Sequence, residues 1–224
     1  MEKELNKAVL AHINIPEDTA HIFSETAHQF EEIMMMYQCA IQEVTTKLEV
    51  LSREMSVLNN RNPIETIKYR INKPASIAEK LIKNGCEVSI DSIFKNLNDV
   101  AGVRVICSFI EDIYTIAKML TSQDDIHLLK VKDYIKNPKA NGYRSYHMIV
   151  EIPVFFSDHK QYMKVEVQIR TMAMDFWASL EHQVRYKKNI QNADEVSKQL
   201  KKCADVIAET DAEMQNIAKK IKIV

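Results

Sequence analysis

Residues 164–171 read KVEVQIRT. Val165, Val167 and Ile169 alternate with Lys164, Glu166, Gln168 and Arg170. Side chains on a β-strand point alternately to opposite faces. One face of this strand therefore belongs to a core, and the other carries two cations, a carboxylate and an amide in a row. That pattern decides for a sheet. It leaves two readings of the polar row: a solvated outer face, ordinary in antiparallel sheets, or the floor of a site that handles charge.

Working outward, QYMKVEVQIRT and the preceding SYHMIVEIPVF form two strands, a hairpin turning around Ser157–Asp158–His159–Lys160. Val100 to Phe109 is rich in β-branched residues and reads as a buried strand. Ile126 to Tyr134 and Ile64 to Ile71 read as two more. IKNPKANGY is a loop by its Pro, Asn and Gly content. Ser76 caps a helix from Ile77 to Lys83 that stops at Asn84–Gly85. Ile113, Ile116, Ala117 and Leu120 share one face of a helix over Glu111–Leu120, and Ala173, Phe176, Trp177, Leu180 and Val184 mark another. The class is α+β, with a mixed sheet of about five strands flanked by long N- and C-terminal helices.

Those flanking helices carry seams. No Gly or Pro occurs from Ser24 to Leu58, and Tyr37, Ile41, Val44, Leu48, Leu51, Met55 and Leu58 recur at steps of four and three until Asn59, Asn60, Arg61, Asn62 and Pro63 break the run. Val196, Leu200, Cys203, Ile207, Thr210, Met214, Ile217 and Ile221 step the same way. Either each helix packs within its own chain, or the seams join subunits; spacing leaves both open. The organisation is a helical segment over 1–62, a core over 63–190 and a C-terminal helix over 191–224.

Bulk numbers exclude several function classes. The chain has 224 residues, 46% hydrophobic, with a net charge of −1. Nothing in this balance indicates RNA or DNA binding, or attraction to a membrane surface. The four cysteines lie at no metal-binding spacing and read as free thiols. The first residues hold no apolar run of signal-peptide type, and no stretch approaches a membrane span, so the expectation is a soluble cytoplasmic protein. Only three glycines are present, so a glycine-rich phosphate loop is absent and side chains must do that work.

Three constellations stand beside the polar row. Asp99 opens the strand DVAGVRVICSF, Gly102 permits close approach, and Arg104 is a charge within an apolar run. Asp99 and Glu166, from separate strands, suit a magnesium ion, which takes hard oxygen ligands and commonly uses one or two carboxylates plus substrate phosphates. NPKANGYRSYH gathers Lys139, Asn141, Tyr143, Arg144 and His147. A tyrosine beside cations suits base stacking with phosphate neutralisation, or else lies buried under a hairpin loop. YRINKPASIAEK adds Arg70, Lys73, Ser76 and Lys80 around a helix start suited to an anion, although lysines there are commonly solvated.

YRINKPASIAEKL, DVAGVRV, NGYRSYH and VEVQIRT, in this order and spacing, resemble the RelA/SpoT-type alarmone synthetases, and the short single-domain members in particular. The resemblance covers roughly residues 63–188. It implies a nucleotidyltransferase-like fold and a GTP pyrophosphokinase, which moves the β,γ-pyrophosphate of ATP to the ribose 3′-hydroxyl of GDP or GTP, giving ppGpp or pppGpp plus AMP. It implies magnesium on Asp99 and Glu166, with Glu166 also the base for the 3′-hydroxyl. By the same resemblance Arg70 and Arg104 would sandwich the donor adenine, and Ser76 and Lys80 would meet donor phosphates. It also implies that Tyr143 stacks on the acceptor guanine, that Lys139, Asn141, Arg144 and His147 belong to the acceptor loop, and that Asp175, Ala178 and Glu181 line the guanine pocket. A homotetramer joined through the terminal helices is implied too. The chain departs from the family at Lys73, which stands one place later than the usual R-x-K lysine. The mixed charges of TTKLEVLSRE argue against strong activation by product. Two other readings are a catalytically silent binder of alarmone or RNA, for which both acids would be superfluous, and a nucleotidyltransferase, which would release pyrophosphate instead of AMP.

Overall fold

A computed structural model describes residues 17–58, 61–186 and 193–222. Asn59 and Asn60, the first residues of the expected helix break, lie outside them, as does 187–192 across the expected end of the core. The chain divides into two compact units, 1–36 and 37–224. Helix α1 (Glu17–Leu58) runs through both, and the rest belongs to the second unit. There follow β1 (Ile64–Ile71), α2 (Pro74–Lys83), α3 (Ile90–Asn96), β2 (Ala101–Cys107), α4 (Ile110–Thr121), β3 (His127–Asp133), β4 (Tyr146–Phe155), β5 (Lys160–Thr171), α5 (Met172–Tyr186) and α6 (Ala193–Lys220).

The five strands form one mixed sheet in the order β1-β2-β5-β4-β3. β2 and β5 pair in parallel, and every other pair is antiparallel. The central strands obey the alternation: Val103, Val105, Val165, Val167, Ile169, Met148 and Val150 are all buried. Helix α4 covers that apolar face with Ile113, Ile116, Ala117 and Leu120. Asp112 in its first turn accepts from the Phe109 N–H at 3.1 Å and from both terminal nitrogens of Arg61, at 2.8 and 2.5 Å. In the second unit α1 buries Tyr37, Ile41, Val44, Leu48, Leu51 and Met55, as the seam predicts, while Leu58 is exposed.

The C-terminal seam is split: Leu200 and Ile207 pack against Trp177, Ala178 and Ala204, while its later residues face outward. Ala204, Asp211, Gln215 and Ala218 are buried, whereas Cys203, Met214, Ile217 and Ile221 face outward. Polar contacts fix the inward face there: Asp211 accepts from Thr171 Oγ1 at 2.7 Å, and Gln215 Oε1 accepts from the Glu111 N–H at 2.9 Å. Helix α2 also starts earlier than expected. Pro74 occupies the first turn, where a missing N–H costs nothing, so Lys73 is the N-cap and Ser76 lies inside the helix. Among the described residues no helix is long and apolar enough to cross a membrane.

Candidate active site

The polar row of β5 is one lane of a wider polar face. The register sets Gly102 of β2 beside Glu166 and Arg104 beside Gln168, and Arg70 of β1 beside Gly102. On the other side His147 of β4 pairs with Gln168, and Lys132 of β3 pairs with His147. Directly paired residues share a face, so Arg70, Arg104, Glu166, Gln168, His147 and Lys132 form one surface across five strands.

Two cavities open on it. One of about 390 Å³ holds both acids, Asp99 and Glu166, together with His147 and four lysines, Lys80, Lys83, Lys130 and Lys132. Asp99 sits just ahead of β2, where Asn72 fastens the chain: its Nδ2 donates to the Asp99 carbonyl at 2.7 Å and its N–H to Val100 at 2.9 Å. Lys80, on α2, places Nζ 2.5 Å from Asp99 Oδ2. The second cavity, of about 210 Å³, is lined by Lys68, Tyr69, Arg70, Gly102, Val103, Arg104 and Gln168. Arg70 lies across Gly102, whose added Cβ would sit 3.5 Å from its Cγ and Nε. Arg104 Nε is buried with no hydrogen-bond partner among the described residues. Burial and the neighbouring Arg170 push the Arg104 guanidinium below its ordinary value, and Asp175 opposes them.

Glu166 is held at both oxygens. His147 Nδ1 lies 3.1 Å from Oε1, and Gln168 Nε2 donates to Oε2 at 2.8 Å. Burial pushes this carboxyl up, but His147, the Gln168 amide and Arg70 outweigh it and leave it below the usual carboxylate range. It is therefore ionised at neutral pH. Tyr143 has its hydroxyl 2.8 Å from His147 Nε2, and its ring carries Lys139 Nζ 4.7 Å from the centroid. The ring also packs against the cluster of Trp177, Ala178 and Ala204. Asn141 shapes the loop, accepting from the Tyr143 N–H at 3.2 Å and donating to Glu181 at 3.1 Å.

Most of the expected residues are brought together. Asp99, Lys80, His147 and Glu166 line the first cavity, and Arg70 and Arg104 the second. Lys139, Asn141, Tyr143, Ala178 and Glu181 gather beside the first through the Tyr143 loop. Asp175 holds Arg104 and Arg170, at 3.4 and 3.1 Å. Three residues stand apart. Arg144 lines a separate crevice with Trp177 and Asp211 at α5 and α6, Lys73 is an exposed helix cap, and Ser76 lines neither cavity. Lys83, Lys130 and Lys132 join the site without a motif to mark them, although alternation along HLLKVKD puts both β3 lysines on one face. Arg170 was the least expected: it is 4% exposed and bonds Ser145, Asp175, Tyr143 and Gln168.

The donor set fits a magnesium ion that arrives with a nucleotide. Among the described residues no cluster of three or more His, Cys, Asp and Glu could cage a metal. Two carboxylates among four lysines instead suit an ion sharing its ligands with phosphates.

Comparison with known proteins places the chain in a family. Residues 69–191 match the region found in RelA / SpoT proteins. GTP pyrophosphokinase YwaC of Bacillus subtilis is 42% identical over 188 residues, covering 84% of this chain and 90% of its own. The small alarmone synthetase 1 of Bacillus subtilis bound to its product pppGpp superposes with a TM-score of 0.78 at 32% identity, over 86% of this chain and 98% of that one. Its complex with AMPCPP gives 0.73 at 29% identity, over 88% of this chain and 100% of the other. With the family region spanning more than half its length, this chain belongs to the RelA/SpoT family.

Proposed function

We propose that this chain is a GTP pyrophosphokinase that makes alarmone, transferring the β,γ-diphosphate of ATP to the 3′-hydroxyl of GDP or GTP. The observation that carries this reading is one cavity that gathers Glu166, held ionised, and Asp99 among four lysines. The related enzyme's complexes with pppGpp and AMPCPP support a guanine acceptor and an adenine donor.

Arg70 and Arg104, around the 210 Å³ cavity, hold the donor base between guanidinium planes, which stack well on aromatic rings. Lys80, Lys83, Lys130 and Lys132 meet the phosphates. Tyr143 and Lys139 take the acceptor guanine and its charge. Glu166 Oε accepts the 3′-hydroxyl proton as the 3′-oxygen bonds to the β-phosphorus, the bond from that phosphorus to the α-phosphate oxygen breaks, and AMP leaves. Asp99 and Glu166 would hold magnesium, which when bound neutralises charge on the phosphates. Exposed Met214 and Ile217 on α6, with Ile221 just beyond its end, support a homo-oligomer, taken as a tetramer; a cytoplasmic location is part of the same proposal.

Incubation with ATP, Mg²⁺ and each guanine nucleotide, with products resolved by chromatography, tests the reading. The expected result is AMP release strictly dependent on GDP or GTP, with a matching 3′-diphosphorylated product. Glu166→Gln should lose about 10²- to 10⁴-fold in rate, the scale of a general base. Pyrophosphate release in place of AMP, or undiminished synthesis by that variant, overturns it.

A further inference from the structure

Arg170 has no part in the mechanism above, yet its terminal Nη2 makes two hydrogen bonds that both lead to Glu166. It donates to the Tyr143 hydroxyl at 2.6 Å and to Gln168 Oε1 at 3.0 Å. A guanidinium nitrogen has no acceptor capacity, so the direction of each bond is fixed. The Tyr143 hydroxyl, which accepts from Arg170, lies 2.8 Å from His147 Nε2 with its one proton free to be donated there. A neutral imidazole that accepts at Nε2 carries its hydrogen on Nδ1, and Nδ1 is the atom 3.1 Å from Glu166 Oε1. Along the second arm, Gln168 accepts through Oε1, so its amide nitrogen is turned to Glu166 Oε2, at 2.8 Å.

We propose that Arg170 is a positioning residue: one buried guanidinium nitrogen sets the His147 tautomer through Tyr143 and the Gln168 amide orientation directly, and thereby presents a donor to each oxygen of Glu166. The relay rests on the function proposed above only for its catalytic consequence. The guanidinium itself is locked from outside the ring, by Asp175 at Nη1 and by its Nε–H donating to Ser145 Oγ at 3.3 Å. Buried at 4% exposure, it has no open face toward either substrate cavity, and neither cavity counts it in its lining. Tyr143 is then both a ring for the acceptor base and the first link to the carboxylate.

Two measurements on the full-length protein test this. In protein labelled with ¹⁵N-histidine, with the His147 ring assigned by its loss in His147→Asn, the neutral ring should be the Nδ1–H tautomer in the wild type. Tyr143→Phe, which keeps the aromatic ring and removes the link, should weaken that preference, leaving Glu166 alone to hold the Nδ1 hydrogen. A neutral His147 carrying its hydrogen on Nε2 in the wild type overturns the relay. In steady-state kinetics, Arg170→Lys keeps the charge but cannot serve both arms with one fixed fork. Its kcat should fall on the order of 100-fold, as for a misplaced catalytic group, with the ATP KM within about threefold of the wild type. Gln168→Met should lower kcat by cutting one arm, and Tyr143→Phe combined with Gln168→Met should match Arg170→Lys. Should Arg170→Lys fail to fold, that pair decides the matter. Wild-type kcat in the paired variant overturns the proposal. Absence of alarmone synthesis by the wild type overturns the function proposed above and leaves the relay to the ring tautomer alone.

Discussion

Lys80 Nζ lies 2.5 Å from Asp99 Oδ2, so the acid at the head of β2 is paired with a cation that α2 supplies. Both side chains are about one-third exposed and line the cavity with Glu166.

Lys80→Met should therefore act on the donor. Loss of a charge-assisted contact, about 1.5–3 kcal/mol, raises the ATP KM about tenfold or more. The KM for GDP or GTP should change little. Initial-rate measurements with each substrate varied in turn check it, and an unchanged ATP KM would refute the role.

Arg61→Ala should destabilise the fold without touching the site. It strips both partners' fork from Asp112, whose side chain is 5% exposed. Leaving a buried carboxylate without its cation costs about 3 kcal/mol. Urea unfolding reads this as a lowered midpoint. Burial lowers the Arg61 guanidinium's affinity for protons, but the hydrogen bond to Asp112 outweighs it and its pKa is raised.

Two glycines with positive φ separate strain from crowding. Gly85 has φ +70° and open space where a Cβ would stand, so Gly85→Ala should cost about 1–2 kcal/mol, the left-handed penalty alone. Gly142 has φ +87°, and its Cβ would come within 2.4 Å of Ala204 Cβ. Gly142→Ala adds overpacking of about 1–3 kcal/mol and pushes the Tyr143 loop from α6. Thermal unfolding should rank it clearly below Gly85→Ala, with a raised KM for the guanine nucleotide.

Asp211 gives a pH signature. Burial raises its pKa in the folded state, against the Thr171 hydrogen bond and the charge of Arg144. The folded protein then keeps a proton that the unfolded chain has released, so stability falls as pH rises from the ordinary carboxylate value of about 4 through the raised one. Asp211→Asn retains an acceptor for Thr171 and removes that loss. It should match or exceed the wild type at pH 7, with the advantage vanishing below pH of about 4. A variant less stable than the wild type at pH 7 would contradict this.

Strands and core were legible because alternation is a local property, and KVEVQIRT alone named both its faces. What escaped depends on other elements. Helix α3 has seven residues, too few for periodicity, and only its Ser89 cap signalled it, accepting from the Ser92 N–H. The apolar stripe of α6 turns outward in its second half because the inward face there is fixed by Asp211 and Gln215, whose polar bonds no hydrophobic count registers. Within the site, the family resemblance supplied Asp99 and Glu166, and the structure brings both to one cavity. Arg170 was on the right strand face, but its four partners come from β5, from α5 and, at Tyr143 and Ser145, from the loop before β4, which only the assembled sheet brings near it. Arg144, next to Tyr143 in the chain, faces another crevice.

The parallel pairing of β2 with β5 bears on how the protein is made. β2 lies between β1 and β5, and its second neighbour begins at Lys160, more than fifty residues after β2 ends. During synthesis this strand, with six of its seven residues buried in the finished fold, waits with a bare edge while α4, β3 and β4 emerge. An unpaired apolar edge is a template for pairing with other chains, and such long-range closure is slow. Nascent chains paused before residue 160 should thus be the ones that aggregate and engage chaperones.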